Sequence, residues 1–177
     1  SKEHLLSVID AAGPEALWVM DTETNGLEVR GSGSPHWAHW IGLMPVGKGH
    51  CFIVSRDEYD EWELELTFKR MVFVGHNLRF DCHALDLVPE RLWIDTLLPL
   101  YYGNTACFKG MDHVAKVYGW PSIPTPAALK QGKVAEMDEV DLCDYLANDL
   151  LVTSLMYQKF GGKIREECQQ LEMATLR

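Results

Sequence analysis

The sequence predicts an α/β domain built on a mixed β-sheet flanked by helices, and three observations carry that prediction. Short β-rich apolar runs alternate with helix-like stretches, the first strands follow one another directly, and the later ones are separated by helices. The 177 residues fit one domain at roughly 150 residues per domain. A hydrophobic share of 47% is enough to bury a proper core. The expectation is therefore a single domain over residues 1–177, with its core at about 16–159.

In chain order, residues 2–12 read as a short helix closed by Gly13-Pro14. Ala16-Leu17-Trp18-Val19-Met20 is a continuous apolar run, hence a buried strand, and it ends in Asp21-Thr22-Glu23. Arg30-Gly31-Ser32-Gly33-Ser34-Pro35 is a flexible loop, and His36, Trp37, His39 and Trp40 are read with it. Residues 40–45 and 50–54 are two strands joined by a Gly47-Lys48-Gly49 turn, a hairpin signal. Residues 57–70 read as an acidic helix, 71–75 as a strand, 77–87 as a helix, and 92–95 as a strand running into helix 96–102. Helices at 110–118 and 139–159 enclose a Pro-rich loop at 121–128. No repeat, low-complexity block or internal boundary interrupts the chain, and 160–177 reads as an amphipathic C-terminal helix.

The 26 acidic and 16 basic side chains leave a formal charge of −10, which argues against broad, nonspecific adhesion to nucleic acid or an anionic membrane. That acidity is uneven. Residues 57–65 and 136–149 hold 12 of the 26 acids with no Lys or Arg between them, so the remainder carries a net charge of +2. No apolar run approaches the ~20 residues of a membrane span, and Ser1-Lys2-Glu3-His4 lacks the regions of a signal peptide. Cys51, Cys82, Cys107, Cys143 and Cys168 are odd in number and widely spaced, which fits neither a disulfide framework nor a zinc ribbon. A cytoplasmic protein without a membrane partner is expected.

One motif is a decoy. Gly42-Leu-Met-Pro-Val-Gly47-Lys48-Gly49 nearly spells a phosphate-binding P-loop, but Gly49 stands where a magnesium-binding hydroxyl is needed and a strand follows instead of a helix N-terminus. It is read as a hairpin turn.

Three other stretches bear on chemistry. Asp21 and Glu23, two residues apart on a strand, share a face. They are either a cation site for hard oxygen ligands, suited to Mg²⁺ or Mn²⁺, or a solvated pair just past the strand. Asn77 and Asp81 stand at i and i+4 if the helix begins near Asn77, giving one face an amide and a carboxylate; alternatively Asn77 is an N-cap and Asp81 a surface residue. Tyr145 and Asp149 form a second i, i+4 pair, on the side of the helix that carries Leu142, Leu146, Thr153 and Met156. A carboxylate on that stripe needs a metal or a cation unless it sits at the stripe's edge, and no basic residue lies between Lys133 and Lys159.

In this order and context, Val19-Met-Asp-Thr-Glu-Thr-Asn-Gly-Leu27, Gly75-His-Asn-Leu-Arg-Phe-Asp81 and Tyr145-x-x-x-Asp149 resemble the three motifs of the DEDD superfamily of 3′–5′ exonucleases in its tyrosine-bearing (DEDDy) subfamily. Trp93-Ile-Asp-Thr-Leu-Leu98 and Gly110-Met-Asp-His-Val-Ala115 are similar to stretches of the proofreading domain of bacterial and phage family A DNA polymerases. The resemblance implies a ribonuclease H-like (DnaQ-like) fold and a two-metal-ion reaction at Asp21, Glu23, Asp81 and Asp149, with Mg²⁺ or Mn²⁺ as the ions. It implies that Asp21 bridges both ions, that Glu23 and Asp149 complete the site of the attacking water, that Asp81 serves the second ion largely through water, and that Tyr145 orients the attacking water. Thr24, Leu27, Asn77 and Phe80 match positions that contact the terminal nucleotide, Leu27 as a wedge between the last two bases. His76 and Phe80 depart from the glutamine and tyrosine common in the polymerase family, which changes contacts to DNA.

Lys109, Lys116, Lys130 and Lys133 give a local basic excess that either meets phosphates or stays solvated. The implied substrate is a single-stranded or frayed DNA 3′ end, with a polymerase domain in the same chain or a separate polymerase subunit as partner, since 171–177 loosely resembles the run-in to such a domain. A ribonuclease D-like exoribonuclease shares the motifs, and an inactive nucleic-acid-binding domain of the same fold is a third alternative.

Overall fold

The computed structural model describes residues 1–26, 37–103 and 110–161, with the side chains of 101–103 left aside. The strand that begins the site, β1 (Leu17–Thr24), is central to a five-stranded sheet ordered β3-β2-β1-β4-β5. The meander β2 (Ala38–Pro45) and β3 (Phe52–Ser55) pairs antiparallel on one side of it. The strands β4 (Val72–Gly75) and β5 (Ile94–Asp95) pair parallel on the other. The predicted mixed α/β sheet is therefore present.

Strand alternation divides the core into two layers. Trp18 and Met20 face a cluster that contains Leu5, Phe68, Phe73, Leu78, Cys82 and Trp93. This layer is covered by α1 (Lys2–Ala12), α2 (Arg56–Glu61), α3 (Glu65–Arg70) and α4 (Leu78–Leu85). Val19, one residue out of phase, packs with Met44 and Leu150 on the opposite side, where α8 (Glu139–Phe160) lies over β1 and β2. The helix α6 (Met111–Tyr118) closes that side by packing Val114 and Ala115 against Val152, Met156 and Phe160 of α8. Two shorter helices, α5 (Leu97–Gly103) and α7 (Ala127–Lys130), complete the list of α-helices among the described residues.

Gly42 has a packing role that its place in a false P-loop hides. It pairs with Asp21 across β1 and β2, and a Cβ there would come within 2.8 Å of both Leu146 and Leu150. The missing side chain lets α8 approach the sheet beside Asp21. Gly47, at φ 74°, makes the turn toward β3 as expected.

Several boundaries differ from the sequence-based expectation. The acidic helix 57–70 is two helices, because Glu63 adopts a left-handed conformation (φ 53°) that breaks the helical run. His39 belongs to β2 and not to the preceding loop, since β2 begins at Ala38, and Trp40 lies in that strand as the reading of 40–45 has it. Part of the Pro-rich loop folds into α7. Leu27, His36, Lys109 and the C-terminal segment 162–177 lie outside the described residues.

Candidate active site

The alternation that buries Val19 against α8 also turns Asp21 and Glu23 to the α8 side at the C-terminal end of β1. On α8, Leu142, Leu146, Leu150, Val152 and Met156 are buried and fix the helix by its apolar stripe, so Asp149 is carried inward with them. Carboxylate oxygens of Asp21, Glu23 and Asp149 all lie within 4.8 Å of one another. Thr22, facing the other side of β1, donates from Oγ1 to Asp81 Oδ1 at 2.7 Å. The strand thus holds two carboxylates itself and fastens a third from α4.

Asp81 depends on how α4 begins. Asn77 is the N-cap residue, but in a left-handed conformation (φ 66°, ψ 43°), and its side chain caps nothing. Asp95, at the end of β5, does the capping: its carboxylate accepts from the backbone N–H of Asn77 at 2.9 Å, Leu78 at 3.0 Å and Leu97 at 2.8 Å. Of the two readings of this stretch, Asn77 at the N-cap position holds and a helical face shared with Asp81 does not, because Asn77 precedes the helix; Asp81, though, is buried and not the surface residue of that reading. Three charge-assisted bonds to one carboxylate weld the start of α4 to the start of α5. The neighbouring Thr96 hydroxyl donates to the Gly75 carbonyl at 3.0 Å, so His76 Nδ1, 3.0 Å from Thr96 Oγ1, is the donor to that hydroxyl oxygen.

Electrostatics set this cluster apart from the surface acids. Burial, followed by the charges of Asp81, Asp149 and Glu23, pushes the Asp21 carboxyl well above its ordinary range. Burial likewise raises Glu23 to about 8, with Asp149 and Asp81 adding. Asp81 rises to about 7 through burial and Asp95, opposed by the Thr22 bond. Asp149 rises to about 6 through burial, opposed by hydrogen bonds from Tyr145 and Asn148. Burial and the nearby Asp149 charge push the Tyr145 phenol up as well, so it stays protonated near neutrality. None of the ion pairs among the described residues involves these carboxylates. An all-oxygen, uncompensated set of this kind fits a hard divalent cation such as Mg²⁺ or Mn²⁺.

A cleft of about 530 Å³ opens beside the carboxylates. Glu23, Thr24, Phe80 and Tyr145 line it on the side of the sheet, and Thr125, Leu129 and Lys130 line it on the side of α7. The sequence-predicted residues thus separate. Thr24 and Phe80 face the cleft, whereas His76 and Asn77 stand at the β4–α4 corner. Lys133 pairs with Glu136 at 3.1 Å, leaving Lys130 as the lysine of the basic group that lines the cleft among the described residues. Asp95, Gly42 and Asn25 were not legible as site-building residues. Asp95 falls in the Trp93–Leu98 stretch that carries the polymerase resemblance, but the signal for its capping role is its place between a strand and a helix, where Asp commonly caps.

With this geometry the fold can be placed. Solved structures of the same architecture include one described as the apo form of a nuclease, with a TM-score of 0.71 at 18% identity, covering 94% of this chain and 84% of that one. Escherichia coli RNase D, described as an exoribonuclease involved in structured RNA processing, matches with a TM-score of 0.70 at 16% identity over 99% of this chain and 49% of its own. Brucella melitensis NrnC with bound Mg²⁺ matches with a TM-score of 0.64 at 16% identity over 92% and 82%. The fold is ribonuclease H-like, a mixed five-stranded sheet flanked by helices that these structures share. No protein-family model matches the chain, and no curated protein matches its sequence.

Proposed function

We propose that this chain is a metal-dependent 3′–5′ exonuclease that removes nucleoside 5′-monophosphates one at a time from a single-stranded or frayed DNA end, in proofreading. The observation that carries the proposal is the convergence of Asp21, Glu23 and Asp149 within 4.8 Å, with Asp81 tied to the same strand and no basic side chain offsetting them among the described residues. Divalent ions held by these four carboxylates would neutralise the phosphate, acidify a water and stabilise the leaving 3′ oxygen. By the resemblance of its motifs, Asp21 would serve both ions, Glu23 and Asp149 would complete the side of the attacking water, and Asp81 would serve the other.

The protein's own groups do the positioning. Tyr145, protonated and one helical turn from Asp149, orients the attacking water by hydrogen bonding; a phenol with so high a pKa is no general base at neutral pH. Thr24 and Phe80 hold the terminal nucleotide in the cleft, and Lys130 meets a phosphate beyond it. Leu27, Asn77 and His76 are assigned to the same 3′ end by their motif positions, and Lys109 by the local basic excess it shares with Lys130. In the proofreading role the partner is a polymerase module, in the same chain or as a separate subunit.

One observation favours a second reading, an RNase D-like exoribonuclease: the likeness to E. coli RNase D spans 99% of this chain. Both are tested together by incubating the protein with Mg²⁺ or Mn²⁺ and single-stranded DNA and RNA of one sequence, each with a free or a blocked 3′ end. Shortening from the free 3′ end only, faster on DNA, supports the first reading, and faster shortening of RNA supports the second. No shortening of any substrate with either metal refutes both.

A further inference from the structure

We infer that Asn25 is a positioning residue that docks the α7 wall of the cleft against the end of β1 and so sets how tightly a 3′ end is held. The inference rests on the reading of the cleft as the site of the 3′ nucleotide. Asn25 lies two residues beyond Glu23, and its amide is used at both ends. Nδ2 lies 2.7 Å from His39 Nε2 on β2, and Oδ1 accepts from the backbone N–H of Val134 at 3.1 Å.

A second, independent feature brings the same two segments together. Gly132 sits at φ 68°, and a Cβ at that position would lie 2.3 Å from the Asn25 carbonyl oxygen. Only glycine allows both that backbone conformation and that approach. The wall thus meets Asn25 through a side-chain bond at Val134 and through bare backbone at Gly132.

The docked segment needs such a tie. α7 is one turn long, Ala127–Lys130, with none of its residues fully buried, so helix propagation does not hold it in place; the buried apolar anchor of the segment 127–134 is Val134, whose backbone N–H is the group that Asn25 holds. Yet Leu129, Lys130, Gln131 and Gly132 all line the cleft. Released from Asn25, the wall would still be present but its lysine and apolar surface would no longer be held opposite Phe80. The carboxylates are fixed by β1, α4 and α8 and would stay in place.

The test uses Asn25→Ala and Gly132→Ala, singly and together, in steady-state cleavage of a single-stranded oligonucleotide with Mn²⁺. Each single variant should raise KM about 10-fold, the scale of one lost hydrogen bond or close contact, with kcat within about 2-fold of wild type. The double variant should be no worse than the poorer single, because both break one joint. Direct contact between Asn25 and substrate would instead give additive losses, and a merely structural role would lower thermal stability without moving KM; either result overturns the inference. Amide hydrogen exchange of the full chain separates this from failure of the exonuclease reading. In Asn25→Ala, residues 127–134 should exchange at least about 10-fold faster while β1 and α8 do not change. Unchanged exchange at 127–134 overturns the docking role even in a protein without measurable cleavage.

Discussion

Two helices deliver a carboxylate each to the end of β1, and they are held there by opposite means. α8 is 22 residues long, and its apolar residues Leu142, Leu146, Leu150, Val152 and Met156 are almost wholly buried; Asp149 is positioned by hydrophobic packing along about four turns. α4 has eight residues and depends on polar bonds at its start, where Asp95 receives three backbone N–H groups and Thr22 ties Asp81 to the strand. A long helix places its acid by periodicity, a short one by its cap. The two should therefore respond differently to substitution.

The largest expected effects do not distinguish the helices, because they remove the chemistry itself. Asp21→Ala and Asp149→Ala should each lower kcat by about 10³-fold or more while leaving the fold intact by circular dichroism. Wild-type rates in either variant would break the site assignment.

The comparison is sharpest in a pair of variants on the supports. Asp95→Ala should reduce activity about 10- to 100-fold, as loss of a group that orients a ligand-bearing element does, with a stability loss of only about 1 kcal/mol for a lost cap. Met156→Ala, in the α8 stripe but two turns from Asp149, should do the reverse. It should cost about 3 kcal/mol, or roughly 9 °C in Tm, with kcat at 20 °C within about 3-fold of wild type. If rate and stability fall in the same proportion in both, the distinction between cap-held and packing-held helices is wrong.

Tyr145→Phe should slow cleavage about 10-fold at saturating metal, since the ring remains and only the hydroxyl is lost. Loss of all activity would mean that the phenol does more than orient water.

The smallest effect is on stability against pH. Asp149, Asp81 and Glu23 are raised to about 6, 7 and 8 in the fold, above the ~4 of an unfolded carboxylate. A raised folded pKa gives stability that is complete below the unfolded value and is lost as pH climbs through the folded ones. Metal-free protein should therefore lose several °C of Tm between pH 5 and 8.5, and saturating Mn²⁺ should cancel the loss by compensating the ionised groups. Thermal scans with and without a chelator measure it.

The contrast between the helices also marks what the sequence discloses. α8 and Asp149 were legible because a 3.6-residue pattern extends over about four turns, and β1 with Asp21 and Glu23 because an apolar run ends in alternating acids. The cap of α4 was not, since Asp95 is 18 residues from Asn77 and no local pattern links them. For the same reason the 109 residues between Asn25 and Val134 hid the α7 joint, and Gly42 read as part of a loop when its function is to admit α8. Glu63 broke a predicted helix by adopting a conformation that its side chain gives no cause to expect. Local periodicity was readable at both ends of the site, and long-range polar ties were not.

The most direct test of the central claim, that these carboxylates form a divalent metal site, is calorimetric titration of metal-free protein with Mn²⁺ at pH 7 in buffers of different ionisation enthalpy. The account predicts saturable binding with release of one or more protons, because Glu23, raised to about 8, and part of Asp81, raised to about 7, hold protons that a metal must displace, and loss of that signal in Asp21→Ala. Absence of binding, or binding without proton release that persists in Asp21→Ala, would contradict it.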